Sequence, residues 1–296
     1  MKDLKVKAVP VPLGNKHPPP PSDVLPRHEF TMGIIAPKGS GKTTVIVNLL
    51  DFYKGYFHTI LVFSPTIQSD DKWDYVKKQK YLLENKPLKN WMKMMEEKRR
   101  EKNDTVVDAP PVPAPSEIQF EPFTGFIEEE HFFEDYDDDT FRNIMEQQNT
   151  VIKVLKKHKK PKHLANRILV VFDDLVGSTL FAGTRGSYFK GVNTRHRHYS
   201  ASFLMISQGY KEIPKTIRTN WTALIVFEIG NEKEVEVIYE EYAMGLTRKQ
   251  WMETYNHATL DEFSFLYINF QKPKKLRMMH NFDSVLFHDR DTACPK

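Results

Sequence analysis

The 296-residue chain has one cysteine, Cys294, which excludes a disulfide framework and a cysteine-based metal centre and fits a reducing, intracellular setting. Long hydrophobic runs are missing too: none approaches the roughly 18 apolar residues that span a bilayer. The opening MKDLKVKAVPVP has lysines where a secretory signal has its apolar centre, so no signal peptide is expected. Neither sign of charge dominates. Lys and Arg number 43 against 39 Asp and Glu, a net charge of +4, which permits an anionic partner such as nucleic acid without demanding one. No internal repeat is visible, and the 40% hydrophobic content can supply the core of one large α/β domain or two small ones.

The most informative text is an apolar strand, expected over 30–35, feeding the glycine-rich turn Ala36-Pro37-Lys38-Gly39-Ser40-Gly41-Lys42-Thr43-Thr44 and then a helix over 43–52. The pattern G-x-x-x-x-G-K-[ST] needs small residues so that consecutive backbone N–H groups can close around phosphate oxygens while a helix N-terminus points at the anion. Residues 36–44 are therefore expected to bind the phosphates of ATP, with Lys42 bridging the β- and γ-phosphates and Thr43 holding Mg²⁺. Ala36 stands where the first glycine belongs, a small residue whose methyl need not obstruct the turn. The bland alternative is a glycine loop carrying a surface lysine.

Residues 1–27, with prolines at 18–21 and few large apolar groups, are expected to form a flexible arm. An ATPase domain is expected over 28–285, with a proline-bearing insertion at about 98–120 and a C-terminal tail over 286–296. Further strands are expected at 59–63, 168–172, 202–206, 223–227 and 263–270. Helical text covers 70–102, with Trp73, Tyr75, Leu82, Leu83, Trp91 and Met92 as buried candidates, then 139–158, 232–242 and a segment opening on the capping box at 247–250. The 139–158 helix follows acids at 128–130 and 135–139 and ends on Lys156, Lys157, Lys159 and Lys160. That arrangement either complements the macrodipole or offers a phosphate-contacting patch. The fold class is α/β: a P-loop NTPase with a mainly parallel central sheet flanked by helices on both faces.

Nucleotide hydrolysis needs a metal-holding carboxylate at the tip of a buried strand and a second acid for the attacking water. The run ending in Phe172-Asp173-Asp174 supplies both, Asp173 for Mg²⁺ and Asp174 for the water, although adjacent acids after a strand also cap helices. Two acids favour the RecA-like division with an additional catalytic acid over nucleotide kinases. Gln208, at the end of the next strand, either senses the γ-phosphate or water or is a turn glutamine. Arg195 and Arg197 are the preferred candidates for an arginine finger offered to a neighbouring subunit, with Arg218 the alternative and a plain surface role open for each. Lys38 is a possible internal positive group. His196 and His198 have H-x-H spacing but no local acid or cysteine to complete a zinc set.

In order, the blocks GIIAPKGSGKTT, ILVFSPT, ILVVFDDL, TRHRHYSASFLMISQGYKEIPKTIRTN and FSFLYINF resemble the poxvirus-type genome-packaging ATPases of large DNA viruses, within the FtsK/HerA group of P-loop proteins. The resemblance covers about residues 28–285. It implies a homo-oligomeric ring, pentamer or hexamer, that threads double-stranded DNA into a preformed capsid by gripping the phosphate backbone without regard to sequence. It also implies capsid or membrane-vertex proteins as partners and an intracellular location, in host cytoplasm or viral factory or associated with the virion. Two other readings stay open: a small-molecule or nucleotide kinase with a P-loop, and a non-catalytic scaffold that binds nucleotide.

Overall fold

Short runs of β-branched and aromatic residues, too apolar for a surface helix and too short to cross a core as one, become strands covered on both faces. The computed structural model describes residues 17–101, 123–175, 177–181 and 187–286. The strands described are β1 (Thr31–Ile35), β2 (Thr59–Phe63), β3 (Phe132–Phe133), β4 (Ile168–Asp173), β5 (Ala201–Ser207), β6 (Ala223–Phe227), β7 (Phe265–Asn269), β8 (Met278–His280) and β9 (Ser284–Val285). The helices described are α1 (Lys42–Phe52), α2 (Asp71–Lys77), α3 (Lys86–Glu101), α4 (Asp138–Lys157), α5 (Tyr188–Thr194), α6 (Lys215–Arg218), α7 (Glu232–Tyr242) and α8 (Arg248–Ala258).

All nine strands join one sheet in the order β3-β2-β4-β5-β1-β6-β7-β8-β9. The six from β3 to β6 are parallel, and β7, β8 and β9 extend the sheet antiparallel. Every residue of β1, β4 and β5 is buried. Alternation along β4 sends Val170 and Phe172 to the face covered by α4, α5, α7 and α8, through Phe141, Phe189, Val235 and Trp251. It sends Leu169 and Val171 to the face covered by α1 and α2, through Ile46, Leu49 and Trp73. Each large apolar side chain so buried contributes roughly 1.5–3 kcal/mol, which makes the two-sided burial of the central strands the main source of cohesion. The parallel strands end together at one edge of the sheet, the edge where open α/β sheets bind ligands.

The mainly parallel sheet with helices on both faces agrees with the expected class. Several details differ. The helical text at 70–102 divides into α2 and α3, because Asn85 caps the second helix through Leu88 N (3.1 Å) and Pro87 fits only its first turn. Between the two helices the chain is extended: Lys80 pairs with Phe126 in an isolated bridge, and Leu83 N donates to Phe57 O (2.8 Å). Tyr75 and Leu83, expected inside, are exposed, while Trp73 and Trp91 are buried. The strand expected at 263–270 starts at Phe265 because Phe263 has a left-handed backbone, φ 64°. The two-residue β3 and the antiparallel β8 and β9 are additions to the expected set.

Of the expected flexible arm at 1–27, residues 1–16 lie outside the described residues, and 17–27 are docked rather than free. Leu25 is buried, Tyr53 Oη donates to Pro26 O (2.6 Å), and Tyr56 Oη donates to Pro18 O (2.8 Å). Val24 O accepts from Tyr267 Oη and Asn269 Nδ2, both at 3.0 Å. Proline offers a carbonyl but no N–H, so such a segment needs donors from its host, and core tyrosine hydroxyls supply them. The expected insertion at 98–120 falls largely on residues 102–122, and the expected tail on 287–296, both outside the described residues.

Candidate nucleotide site

β1 delivers the glycine-rich loop to the carboxyl edge of the sheet, and Ala36 N donates to Ser207 O of the neighbouring β5 (3.0 Å). Ala36 is fully buried with its methyl in the α1-side core, which is why alanine serves where glycine is usual. Gly39 and Gly41 have φ 85° and 87°, left-handed values that a side chain resists. Ser40 N and Oγ both donate to Pro37 O, at 3.2 and 2.7 Å, closing the turn. Gly41 is the N-cap of α1, and neither a side-chain cap nor a first-turn acid occupies the end of the helix. Its free N–H groups and positive dipole end face the loop, a ready anion cradle. Thr43 is buried at the first turn, and Lys38 points its exposed side of the loop to solvent.

β4 ends in Asp173 and leads to Asp174, two strands from β1, with β5 between them and Gln208 just past its end. This order brings the loop lysine, the acid and the amide together. Lys42 Nζ donates to Asp174 Oδ2 (2.8 Å), and Gln208 Nε2 donates to the same oxygen (2.7 Å). Asp174 itself sits at φ 52°, a left-handed turn that asparagine and aspartate accept more readily than most residues. Asp173 is 1% exposed; its Oδ2 accepts from Ser64 Oγ (2.9 Å), whereas its buried Oδ1 has no hydrogen-bond partner among the described residues. Burial pushes the Asp173 carboxyl above the usual range, against the opposing effects of the Ser64 hydrogen bond and the Lys42 charge. An orphaned carboxylate oxygen beside a loop lysine and a buried threonine fits a divalent cation carried by a triphosphate.

Ser64 and Thr66 are site residues that the sequence pattern left as a strand terminator. Ser64 Oγ lies 3.0 Å from Thr66 Oγ1 and holds the β4 acid from the tip of β2, the strand beside it. Their one local signal is a hydroxyl pair at a buried strand end. Asp174 also lines a cleft of about 490 Å³ with Pro65, Glu134, Asp135, Leu175, Gly177 and Ser178. Its three carboxylates disfavour a phosphate there.

The arginines are not part of this cluster. Arg195 and Arg197 are exposed in the turn before β5, at the amino edge of the sheet, where Arg195 Nε donates to Gly191 O (3.2 Å). The seven residues of β5 separate them from Gln208 by roughly 20 Å at ~3.3 Å per residue. Arg218, the alternative finger, is buried, with Nη2 on Glu241 Oε1 (3.0 Å), Nη1 on Tyr210 O (3.0 Å) and its guanidinium 4.0 Å from the Tyr210 ring centre, contacts that hold α6 to α7. His196 is also structural, its two ring nitrogens held against Asn193 O (2.8 Å) and Glu29 O (2.9 Å), while His198 is exposed.

The family described as Poxvirus A32 protein matches residues 115–263, half of the chain. The chain belongs to the poxvirus A32 protein family. The span matched to the A32 family contains Asp173, Asp174, Arg195, Arg197 and Gln208, and begins after the glycine-rich loop. No curated protein matches the sequence. Among solved structures, the genome packaging NTPase B204 of Sulfolobus turreted icosahedral virus 2, in complex with ATP-gammaS, is 10% identical, with 82% of this chain and 93% of that one covered at a TM-score of 0.47. B204 of Sulfolobus turreted icosahedral virus, a DNA-packaging ATPase, is 11% identical over 82% of this chain and 94% of its own, TM-score 0.47. The pCW3 conjugation coupling protein TcpA, in a monomer form with ATPgS, is 12% identical over 88% and 60%, TM-score 0.38.

Proposed function

We infer that this chain is an ATP-hydrolysing motor that moves viral double-stranded DNA into a preformed capsid. The observation that carries the ATPase reading is the convergence of Lys42 and Gln208 on one oxygen of Asp174 beside the glycine-rich loop. Membership of the A32 family supports genome packaging as the use of that hydrolysis.

The triphosphate of ATP binds the free N–H groups at the glycine-rich turn and the first turn of α1, residues 41–44, and competes for Lys42. Drawing Lys42 onto the β- and γ-phosphates removes one of the two donors that occupy Asp174, and the freed oxygen accepts a proton from the attacking water. As the new water-oxygen bond to the γ-phosphorus forms, the bond to the β,γ-bridging oxygen breaks, and ADP and phosphate leave. Gln208, already within hydrogen-bond reach of Asp174, orients the water and responds to loss of the γ-phosphate. Thr43 and Asp173 would hold Mg²⁺, which would supply neutralisation of the charge on the triphosphate. Lys38 is a further cation at the loop rim.

Arg195 or Arg197 acts as the finger on a neighbouring subunit's ATP, a reading supported by their exposure and by their distance from this chain's own loop. A homo-oligomeric ring, pentamer or hexamer, goes with that reading. Within it, duplex DNA is gripped through phosphates, with capsid or membrane-vertex proteins as partners in an intracellular setting.

Turnover of ATP measured with and without long duplex DNA tests the reading. Wild-type activity should rise with DNA, and Lys42→Ala and Asp174→Asn should each lose at least ~100-fold in turnover, with Asp174→Asn still binding ATP. Activity that survives Lys42→Ala, or that requires a small acceptor molecule, would overturn the motor in favour of another chemistry.

A further inference from the structure

Phe263 is the one aromatic residue among those described that combines a left-handed backbone with an exposed ring: φ is 64° and 57% of the residue is accessible. It lies in the turn between α8 and β7, two residues before the strand, beside Leu260, which is 77% exposed. Its neighbour in the chain behaves conventionally: Phe265 is buried, its ring tilted against Phe227 and edge-on to Phe282. Phe263 has no ring partner among the described residues. Its position is nonetheless fixed against the phosphate loop. The point at which a side chain on Gly41 would begin lies 3.2 Å from Phe263 Cδ1 and 3.8 Å from Cγ. Gly41 therefore needs to be glycine twice over, for its backbone angle and because the ring occupies the adjoining space.

An exposed aromatic held in an unfavourable backbone conformation, against the N-cap of the helix that receives the phosphates, calls for an apolar ligand group arriving with those phosphates. We propose that Phe263 is the platform on which the nucleobase of the bound triphosphate stacks. The proposal rests on the ATPase reading given above and deepens it. A nucleoside triphosphate anchored at residues 39–44 has one apolar, flat part, its base, and the ring that stands against Gly41 without a ring partner among the described residues is Phe263. A phenyl ring offers a π-face without donors or acceptors. It therefore adds affinity for any base and reads its identity poorly, so adenine and guanine nucleotides should both depend on it.

Calorimetric titration of wild type, Phe263→Ala and Phe263→Tyr with ATPγS, GTPγS and inorganic tripolyphosphate distinguishes the outcomes. Phe263→Ala should weaken both nucleotides by about fivefold or more and leave tripolyphosphate unchanged, since the lost interaction is base–aromatic stacking. Phe263→Tyr should keep nucleotide affinity. Because Phe263 is exposed, the alanine variant removes no core packing, and its unfolding midpoint should match wild type. Unchanged nucleotide binding in Phe263→Ala, with wild type binding all three ligands, overturns the platform and leaves the ATPase reading standing. An equal loss for tripolyphosphate also overturns it, because Phe263 would then merely shape the loop. Wild type that binds none of the three ligands removes the platform and the ATPase reading together.

Discussion

At the scale of residues, the decisive feature is one carboxylate oxygen with two donors. Asp174 Oδ2 takes Lys42 and Gln208 at once, so in the proposed mechanism the group that acts on the water is engaged until a triphosphate claims the lysine. Asparagine suits the left-handed backbone of Asp174 nearly as well as aspartate, which makes Asp174→Asn a change of charge with little change of fold. Arg218 presents the opposite case. Its ion pair with Glu241 is largely shielded, the two side chains being 7% and 15% accessible. Arg218→Met should cost about 3 kcal/mol of stability, because Glu241 would be left charged and nearly buried; denaturant unfolding measures it. The same variant in stoichiometric mixtures with wild type should show no excess poisoning of turnover, unlike a finger. The meeting of Lys42 with Asp174 was legible because both stand at short spacings after apolar runs. Ser64 and Arg218 were not, because their roles depend on Asp173, 109 positions away, and on Glu241 in another helix.

Among the elements, the strands were the most readable, since continuous apolar runs such as β4 and β5 fit only a doubly covered sheet. β3, β8 and β9 escaped because two or three residues carry no periodicity, and their pairing is decided by neighbours distant in sequence. The turns at the amino edge hold a set of neutral histidines. Burial, reinforced by the Arg167 charge, brings His58 down to about 3, and its Nδ1 accepts from Arg167 N (2.8 Å), a bond that protonation would break. Burial likewise lowers His28 and His196. Each binds a proton more readily when unfolded, so their contribution to stability is complete above pH ~6.5 and declines as pH falls toward the folded-state values. Asp173, raised by burial, works in the opposite sense at lower pH. The thermal midpoint should therefore drop between pH 7 and pH 5, and His58→Asn, which keeps an acceptor for Arg167 N, should make that decline shallower. A slope identical to wild type would acquit His58.

On the scale of the whole molecule, the nucleotide cluster occupies the carboxyl edge of the sheet and the exposed Arg195 and Arg197 the amino edge. The two lie at opposite ends of β5, so the proposed finger, Arg195 or Arg197, is one that would serve another copy's site. Mixing Arg195→Ala or Arg197→Ala subunits with wild type at fixed total protein should depress ATP turnover more steeply than the fraction of variant. A straight-line decline would remove the arginines from the reaction. The sheet also ends, on both sides, in strands of two residues, β3 and β9. Margins that short offer another sheet few free backbone groups to zip onto. In the proposed ring, copies would then meet through the loops at the tips of their strands, a contact that can loosen and re-form as a continuous intermolecular β-ladder could not.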